Sequence, residues 1–280
     1  MRYNIGYHSR ISVKSGKLYR KATGKNRSVT GFTFDFREGV NVAAKSEVLA
    51  IIPALCEEEK IGSVVSALRK QELEVLVIDD NSGDNTAEEA ARAGAMVLRL
   101  PVRLGYGGAL QAGYLYARER GYKAIVQLDG DGQHDPEFAG DLLGPVVAGE
   151  VDITMGSRFL GGEGYRVPFA RRLGQKFFGG LVGLIVGEKV SDPTTGYQAM
   201  TAEVVRFYCT PWFPDDYPDA DIRILLHRMS FRIREVPVTM YQSEGQSMHA
   251  GIVRPLYYIY KMTLAIVIAL LAKLPRRDVS

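Results

Sequence analysis

The string Gln127-Leu128-Asp129-Gly130-Asp131-Gly132-Gln133-His134-Asp135-Pro136 holds the densest chemistry in the chain. It closes a short apolar run, 124–128, that reads as a buried strand. Two carboxylates at i and i+2, separated by a glycine, can turn toward one point. Asp and Gln supply hard oxygen ligands, which suit Mg²⁺ or Mn²⁺ and leave positions for the oxygens of a diphosphate. Zinc would want His and Cys, and only His134 is near. An EF-hand calcium loop counted from Asp129 would need Gly and Glu where His134 and Gly140 stand. A merely solvated acidic turn leaves unexplained why such residues crowd the end of a buried strand.

A second cluster, Asp79-Asp80-Asn81-Ser82-Gly83-Asp84, closes the apolar run 74–78. Adjacent carboxylates there can accept from the donor groups of a base or ribose. Asp84 is placed to cap a helix starting near Thr86. Gly105-Tyr106-Gly107-Gly108 precedes a helical stretch but lacks the G-x-G-x-x-G spacing after the first strand, which rejects a dehydrogenase. Ser157-Arg158 follows another strand, with Arg166, Arg171 and Arg172 soon after. Arginine forks match phosphate oxygens; solvated surface charge is the plain alternative.

The elements that must position these residues alternate from Val48 onward. Strands are expected at 48–53, 74–78, 95–100 and 124–128. Helices are expected at 57–69, 86–93 and 107–120, the first with Ile61, Val64, Val65 and Leu68 on one face. Such alternation means a parallel sheet with crossover helices, whose ligands bind beyond the carboxyl ends of the strands. Both acidic clusters stand at such ends. Further on, 152–155 reads as a strand, 161–166 as a Gly-rich loop, 171–186 as a helix and 192–198 as a turn-rich polar insertion. A helix at 222–229 follows Asp219 and Asp221, and a strand is expected at 232–238. The stretch 256–272 is apolar apart from Lys261 and Thr263, shorter than the ~20 residues of a bilayer span. Tyr257, Tyr258 and Tyr260, with flanking Arg254, Lys273, Arg276 and Arg277, give it the composition of a helix lying in a membrane interface; a core or dimer helix is the alternative.

The chain of 280 residues suits one large α/β domain or two small ones. A mean hydropathy of -0.07 excludes a multi-span membrane protein. Two cysteines, Cys56 and Cys209, make no disulfide framework, and a reducing compartment follows. Residues 1–47 hold ten Lys/Arg against three Asp/Glu, so they carry +7 of a total of +3, and the body is left with −4. Nucleic-acid binding by the body is disfavoured on that charge. The expected organisation is a flexible basic extension at 1–47 with one short strand near 32–36, a domain at 48–250, and a helix with a basic tail at 251–280.

Six strings in this order resemble family 2 glycosyltransferases of the GT-A fold, especially the dolichyl- or polyprenyl-phosphate sugar synthases. They are Ile51-Ile52-Pro53-Ala54 with Glu57-Glu58, Val77-Ile78-Asp79-Asp80-Asn81-Ser82, Leu104-Gly105-Tyr106-Gly107-Gly108-Ala109-Leu110, Asp129-Gly130-Asp131-Gly132-Gln133-His134, Gly156-Ser157-Arg158, and Ser191-Asp192-Pro193-Thr194-Thr195-Gly196-Tyr197. The resemblance covers about four-fifths of the chain. It implies a mostly parallel central sheet flanked by helices, ending in the apolar helix. It implies Asp129 and Asp131 as a DxD pair with Gln133 as a further ligand of Mg²⁺ or Mn²⁺. Pro53, Ala54, Glu57, Asp79, Asp80 and Gly108 would line the pocket of a nucleotide diphosphate sugar. Arg158, Arg171 and Arg172 would meet an acceptor phosphate, and Asp192 would stand near the reacting centre, as general base if the acceptor is a hydroxyl, with Asp219 or Asp221 next. The implied enzyme is inverting and peripheral at the inner, cytoplasmic face of the membrane, and could form a homo-oligomer. The acceptor is a polyprenyl phosphate or, alternatively, a sugar hydroxyl of a polysaccharide or glycolipid.

The chain departs from the family pattern at Leu55-Cys56, where Tyr-Asn is usual, and after Val238, where no Arg precedes Gly245. Rival readings are a nucleotidyltransferase, a catalytically inactive nucleotide-sugar-binding protein, and a peripheral membrane protein whose tail is its main business.

Overall fold

The computed structural model describes residues 2–5, 9–18, 29–35, 47–160, 169–214, 218, 220–241 and 253–275, with side chains from Glu47 onward except 169–173, 175–176 and 253–259. Among its described residues the basic segment carries three antiparallel strands in the order β1 (Arg2–Ile5), β2 (Ser9–Leu18) and β3 (Val29–Asp35). The last of these overlaps the strand expected near 32–36.

The body then runs β4 (Val48–Ala54), α1 (Ile61–Lys70), β5 (Glu74–Asp79), α2 (Thr86–Arg92), β6 (Met96–Arg99), α3 (Gly105–Arg120) and β7 (Ala124–Gln127). It continues with α4 (Ala139–Val147), β8 (Ile153–Ser157), α5 (Phe169–Val186), β9 (Gln198–Thr201), α6 (Ala202–Tyr208), α7 (Ala220–Arg228), β10 (Ile233–Pro237) and α8 (Val253–Leu271). Seven strands form one sheet in the order β10-β8-β9-β7-β4-β5-β6. Every pairing is parallel except those of β9, which lies antiparallel between β7 and β8. The sheet is therefore mostly parallel and flanked by helices, as the alternating pattern requires.

Both faces are covered, because successive residues of a strand point to opposite sides. On β4, Leu49 and Ile51 enter one core while Ala50 and Ile52 enter the other. Helices α3 and α5–α8 cover the first face; α1, α2 and α4 cover the second. The anchors of α1 are Ile61, Val64, Val65 and Leu68, the four that the spacing singles out. Helix α4 contains Pro145, which removes one intrahelical bond. Its burial of Ala139, Leu142, Leu143 and Val146 offsets that cost.

The register sets the place of the site. Ala54 pairs with Asp79, Gln127 with Gln198 and Ser157 with Pro237. The carboxyl ends of β4, β5, β7, β8 and β10 and the amino end of the reversed β9 therefore share one edge of the sheet. The segments after Ala54, Asp79, Gln127 and Ser157, and the one before Gln198, all emerge there.

At the far end of the chain, α8 buries Met262, Ile266 and Ala269 in the core shared with α7. Arg228 of α7 ties it down by donating to the carbonyl of Ala272 at 2.9 Å and to that of Ala269. Leu264, Val267, Ile268 and Leu271 form an exposed stripe at helical spacing. Among the described residues no helix is long and apolar enough to cross a membrane.

Candidate active site

Leu128 is fully buried at the end of β7, and the chain turns outward at Asp129. Gly132 has φ +73, a left-handed backbone that glycine adopts without penalty. The turn brings the Gln133 amide to Asp131 Oδ1 at 2.9 Å. The side-chain amide of Gln133 donates to the other oxygen of Asp131. Gln133, expected as a metal ligand, thus holds a carboxylate in place here.

Asp129 is held from two sides. The Tyr106 hydroxyl donates to its Oδ1 at 2.8 Å. Its backbone N–H donates to His134 Nδ1 at 3.0 Å. That ring stacks on Tyr197 with centroids 5.1 Å apart. The segment after β10 closes the far side. Met240 bridges to His134, and the Tyr241 amide donates to the Gln133 carbonyl at 2.8 Å.

Glu57 joins the pair from the loop after β4. Its carboxyl is pushed up to about 7, first by burial and then by the charge of Asp131; Asp129 and Asp84 add to this and Lys60 opposes it. The carboxylates lie close enough to repel one another. Among the described residues no group of three or more acidic, His or Cys side chains is placed to hold a metal ion by itself. An open, oxygen-rich and electronegative group of this kind fits a hard divalent cation that takes its remaining oxygens from a ligand.

The second acidic cluster divides its labour. Asp79 is wholly buried, accepts from the Ser82 amide at 3.0 Å and pairs with Arg99 Nε at 3.1 Å. It braces the turn from within, at the place where the resemblance implies the donor pocket. Asp80 accepts from the amides of Leu104 at 2.6 Å and Gly105 at 2.9 Å, so it caps α3. Burial pushes its carboxyl up and those two amides pull it down. Asp84 accepts from the Thr86 amide at 3.1 Å, as a cap of α2 should. Pro53 and Ala54 are buried at the end of β4. Gly108 lies inside α3, which starts at Gly105, so the glycine string is a first helical turn and not a loop before it.

Arg158 and Asp192 form a bidentate ion pair, Nε–Oδ2 2.6 Å and Nη2–Oδ1 2.7 Å, with side chains only 7% and 1% exposed. Arg158 Nη2 also donates to Thr194 Oγ1 at 3.0 Å. Asp192, implied as a general base, has both oxygens on one guanidinium here, and Arg158, implied to meet an acceptor phosphate, meets that carboxylate and Thr194. Asp221 is buried at the start of α7 and accepts from the Ile222 amide at 3.0 Å. Asp219 and the side chains of Arg166, Arg171 and Arg172 lie outside the described residues.

Beneath this loop, Glu235 of β10 accepts from the Ser191 amide at 3.1 Å and from its hydroxyl at 2.6 Å. Arg223 of α7, itself buried, pairs with the largely enclosed Glu235 at 3.1 Å. Arg223→Leu would strand that carboxylate, and a loss of about 3–5 kcal/mol is expected in a denaturant melt. The sequence reading missed this support, as it missed Tyr106 and the ring of His134. The partners of Tyr106 and Glu235 are distant in the chain, whereas His134 reaches back only five residues to the Asp129 amide; the one available signal was a Tyr inside an otherwise small Gly-rich turn.

A family model described as glycosyl transferase family 2 matches residues 49–208. The undecaprenyl-phosphate mannosyltransferase of Micrococcus luteus is 35% identical over 216 residues, 73% of this chain and 88% of that protein. The polyprenol monophosphomannose synthase of Mycolicibacterium smegmatis is 30% identical over 230 residues, 75% and 83% of the two chains. Among solved structures, glucosyl-3-phosphoglycerate synthase from Mycobacterium tuberculosis, crystallised with Mn²⁺ and UDP, superposes with a TM-score of 0.61 at 23% identity. The match covers 84% of this chain and 82% of that one, and shares the fold.

Proposed function

The chain belongs to glycosyl transferase family 2, and from that membership we propose that it moves a sugar from a nucleotide diphosphate sugar to a polyprenyl phosphate, with inversion, at a membrane surface. The two relatives whose names carry polyprenyl-phosphate mannosyl transfer, matched over most of their length, support the acceptor class. The observation that carries the reading is the clamp on Asp192. A hydroxyl acceptor needs a base to take its proton, whereas a phosphate monoester oxygen is already ionised at neutral pH. A loop that spends its carboxylate on Arg158 suits the second kind of acceptor.

Asp129 and Asp131 would hold Mg²⁺ or Mn²⁺, with Glu57 beside them. A divalent cation bound there supplies Lewis-acid neutralisation of the departing diphosphate. The chain's own residues do the rest. Tyr106 and His134 orient Asp129, and Gln133 orients Asp131. Pro53, Ala54, Glu57 and the capped turn at Asp80 are proposed to line the donor pocket, where base and ribose would lie. Arg171 and Arg172, on α5, are proposed for the acceptor phosphate. The exposed stripe of α8, with Lys261 in the helix and Lys273 just past its end, supports peripheral attachment to the cytoplasmic face of a membrane.

The test is a screen of UDP-, GDP- and TDP-sugars with Mn²⁺ or Mg²⁺, with and without polyprenyl phosphate. Sugar transfer to the lipid phosphate, lost in EDTA, is the expected outcome. Turnover with a sugar hydroxyl acceptor and none with the lipid would overturn the acceptor.

A further inference from the structure

Gly196 stands where its missing side chain matters. A Cβ built there would lie 2.8 Å from the Tyr106 hydroxyl, while its next neighbours, Asp129 Oδ2 and His134 Cε1, are at an ordinary 3.6 Å. Its φ lies outside the left-handed region, so space rather than backbone conformation sets the requirement. The loop carrying Gly196 cannot drift away to relieve a clash, because Gln127 Nε2 donates to the Gly196 carbonyl at 3.0 Å. Nor can the tyrosine retreat freely. It sits in the first turn of α3, whose start is tied by Asp80 to the amides of Leu104 and Gly105. The hydroxyl thus lies between two fixed walls, and it donates to Asp129 Oδ1 at 2.8 Å.

We propose that Tyr106 is a positioning residue for Asp129, and that Gly196 is small in order to admit the Tyr106 hydroxyl. One oxygen of Asp129 is held by the phenol, which fixes the rotation of the carboxylate and so the direction in which Oδ2 is offered. Hydrogen bonds to a ligating carboxylate typically tune metal affinity by tenfold or more. The same contacts give Asp80 a second task, since the cap it provides anchors the helix turn that carries Tyr106. The proposal rests on the reading of Asp129 as a cation ligand.

The experiment is Mn²⁺ titration, followed by electron paramagnetic resonance with UDP or GDP present, on the full chain. For Tyr106→Phe, Mn²⁺ affinity should fall about tenfold to a hundredfold, with the thermal midpoint little changed. Gly196→Ala should weaken Mn²⁺ to a similar degree. In the Tyr106→Phe background the same glycine substitution should add less than about a twofold effect, because the atom it would strike is gone. Wild-type protein that binds no Mn²⁺ would sink the cation reading and this proposal with it. Wild-type binding with Tyr106→Phe affinity unchanged would sink the proposal alone. So would additive losses in the double variant, or a fall in thermal midpoint without a fall in affinity, since either would mark a purely structural role.

Discussion

Asp131→Ala is expected to abolish metal-dependent binding of nucleotide sugar and to lower turnover by roughly a thousandfold or more, the scale seen when one group stabilising transition-state charge is removed. The fold should survive, for Asp131 has local work only. Its oxygens accept from the amide and the side chain of Gln133, two residues away, and, among the described residues, from nothing in the core. Stability should change by no more than about 0.5 kcal/mol, as for other surface substitutions. Asp131 is the largest charge acting on Glu57, so its removal lets the Glu57 carboxyl fall back toward the ordinary range. Calorimetry with UDP-sugar or GDP-sugar and Mn²⁺, repeated in EDTA, measures this directly. Wild-type binding that survives EDTA, or Asp131→Ala binding that matches wild type, would remove the cation from the mechanism. Asp129→Ala is the less clean companion, because it also releases Tyr106 from its partner.

The first half of the fold was legible because it is written in local patterns. Apolar runs closed by acidic turns, alternating with a helix whose buried face is Ile61, Val64, Val65 and Leu68, give β4 to β7 and the edge where ligands collect. The turn that carries Asp129 and Asp131 was legible for the same reason, since it follows directly on the buried run of β7. The second half reads poorly because its order comes from distant partners. Strand β9 is four residues long and antiparallel, and it is a strand because β7 and β8 flank it. Helix α4 is obscured by Pro145. Acidic residues at strand ends look alike in sequence, yet Asp79 braces a turn, Asp80 caps a helix and Asp192 is locked to an arginine 34 positions away. Which carboxylate is free is decided by who else arrives at the edge, and only tertiary structure holds that information.

Asp192→Asn separates the two acceptor classes through that last lock. Were Asp192 a general base, the substitution would leave stability nearly intact, cut kcat and remove the acid limb of the rate profile against pH. The geometry predicts the reverse order of effects. Arg158 is almost wholly enclosed, with its fork committed to Asp192 and Thr194. Taking the negative charge away leaves a buried guanidinium partly uncompensated, at about 3–5 kcal/mol. In a chain of this size that is on the order of a 10 °C fall in midpoint, at roughly 2–4 °C per kcal/mol. Below the melt, transfer to polyprenyl phosphate should keep the shape of its pH profile. Replacing both members, Arg158→Met with Asp192→Leu, should recover most of the lost stability, since an apolar pair of similar volume can substitute for a buried ion pair. Thermal melts and pH–rate profiles of the single and double variants decide the matter. An Asp192→Asn protein that melts within about 0.5 kcal/mol of wild type yet turns over a thousandfold more slowly, with the acid limb gone, would restore Asp192 as the base. The acceptor would then be a hydroxyl, and Arg158 its partner only between turnovers.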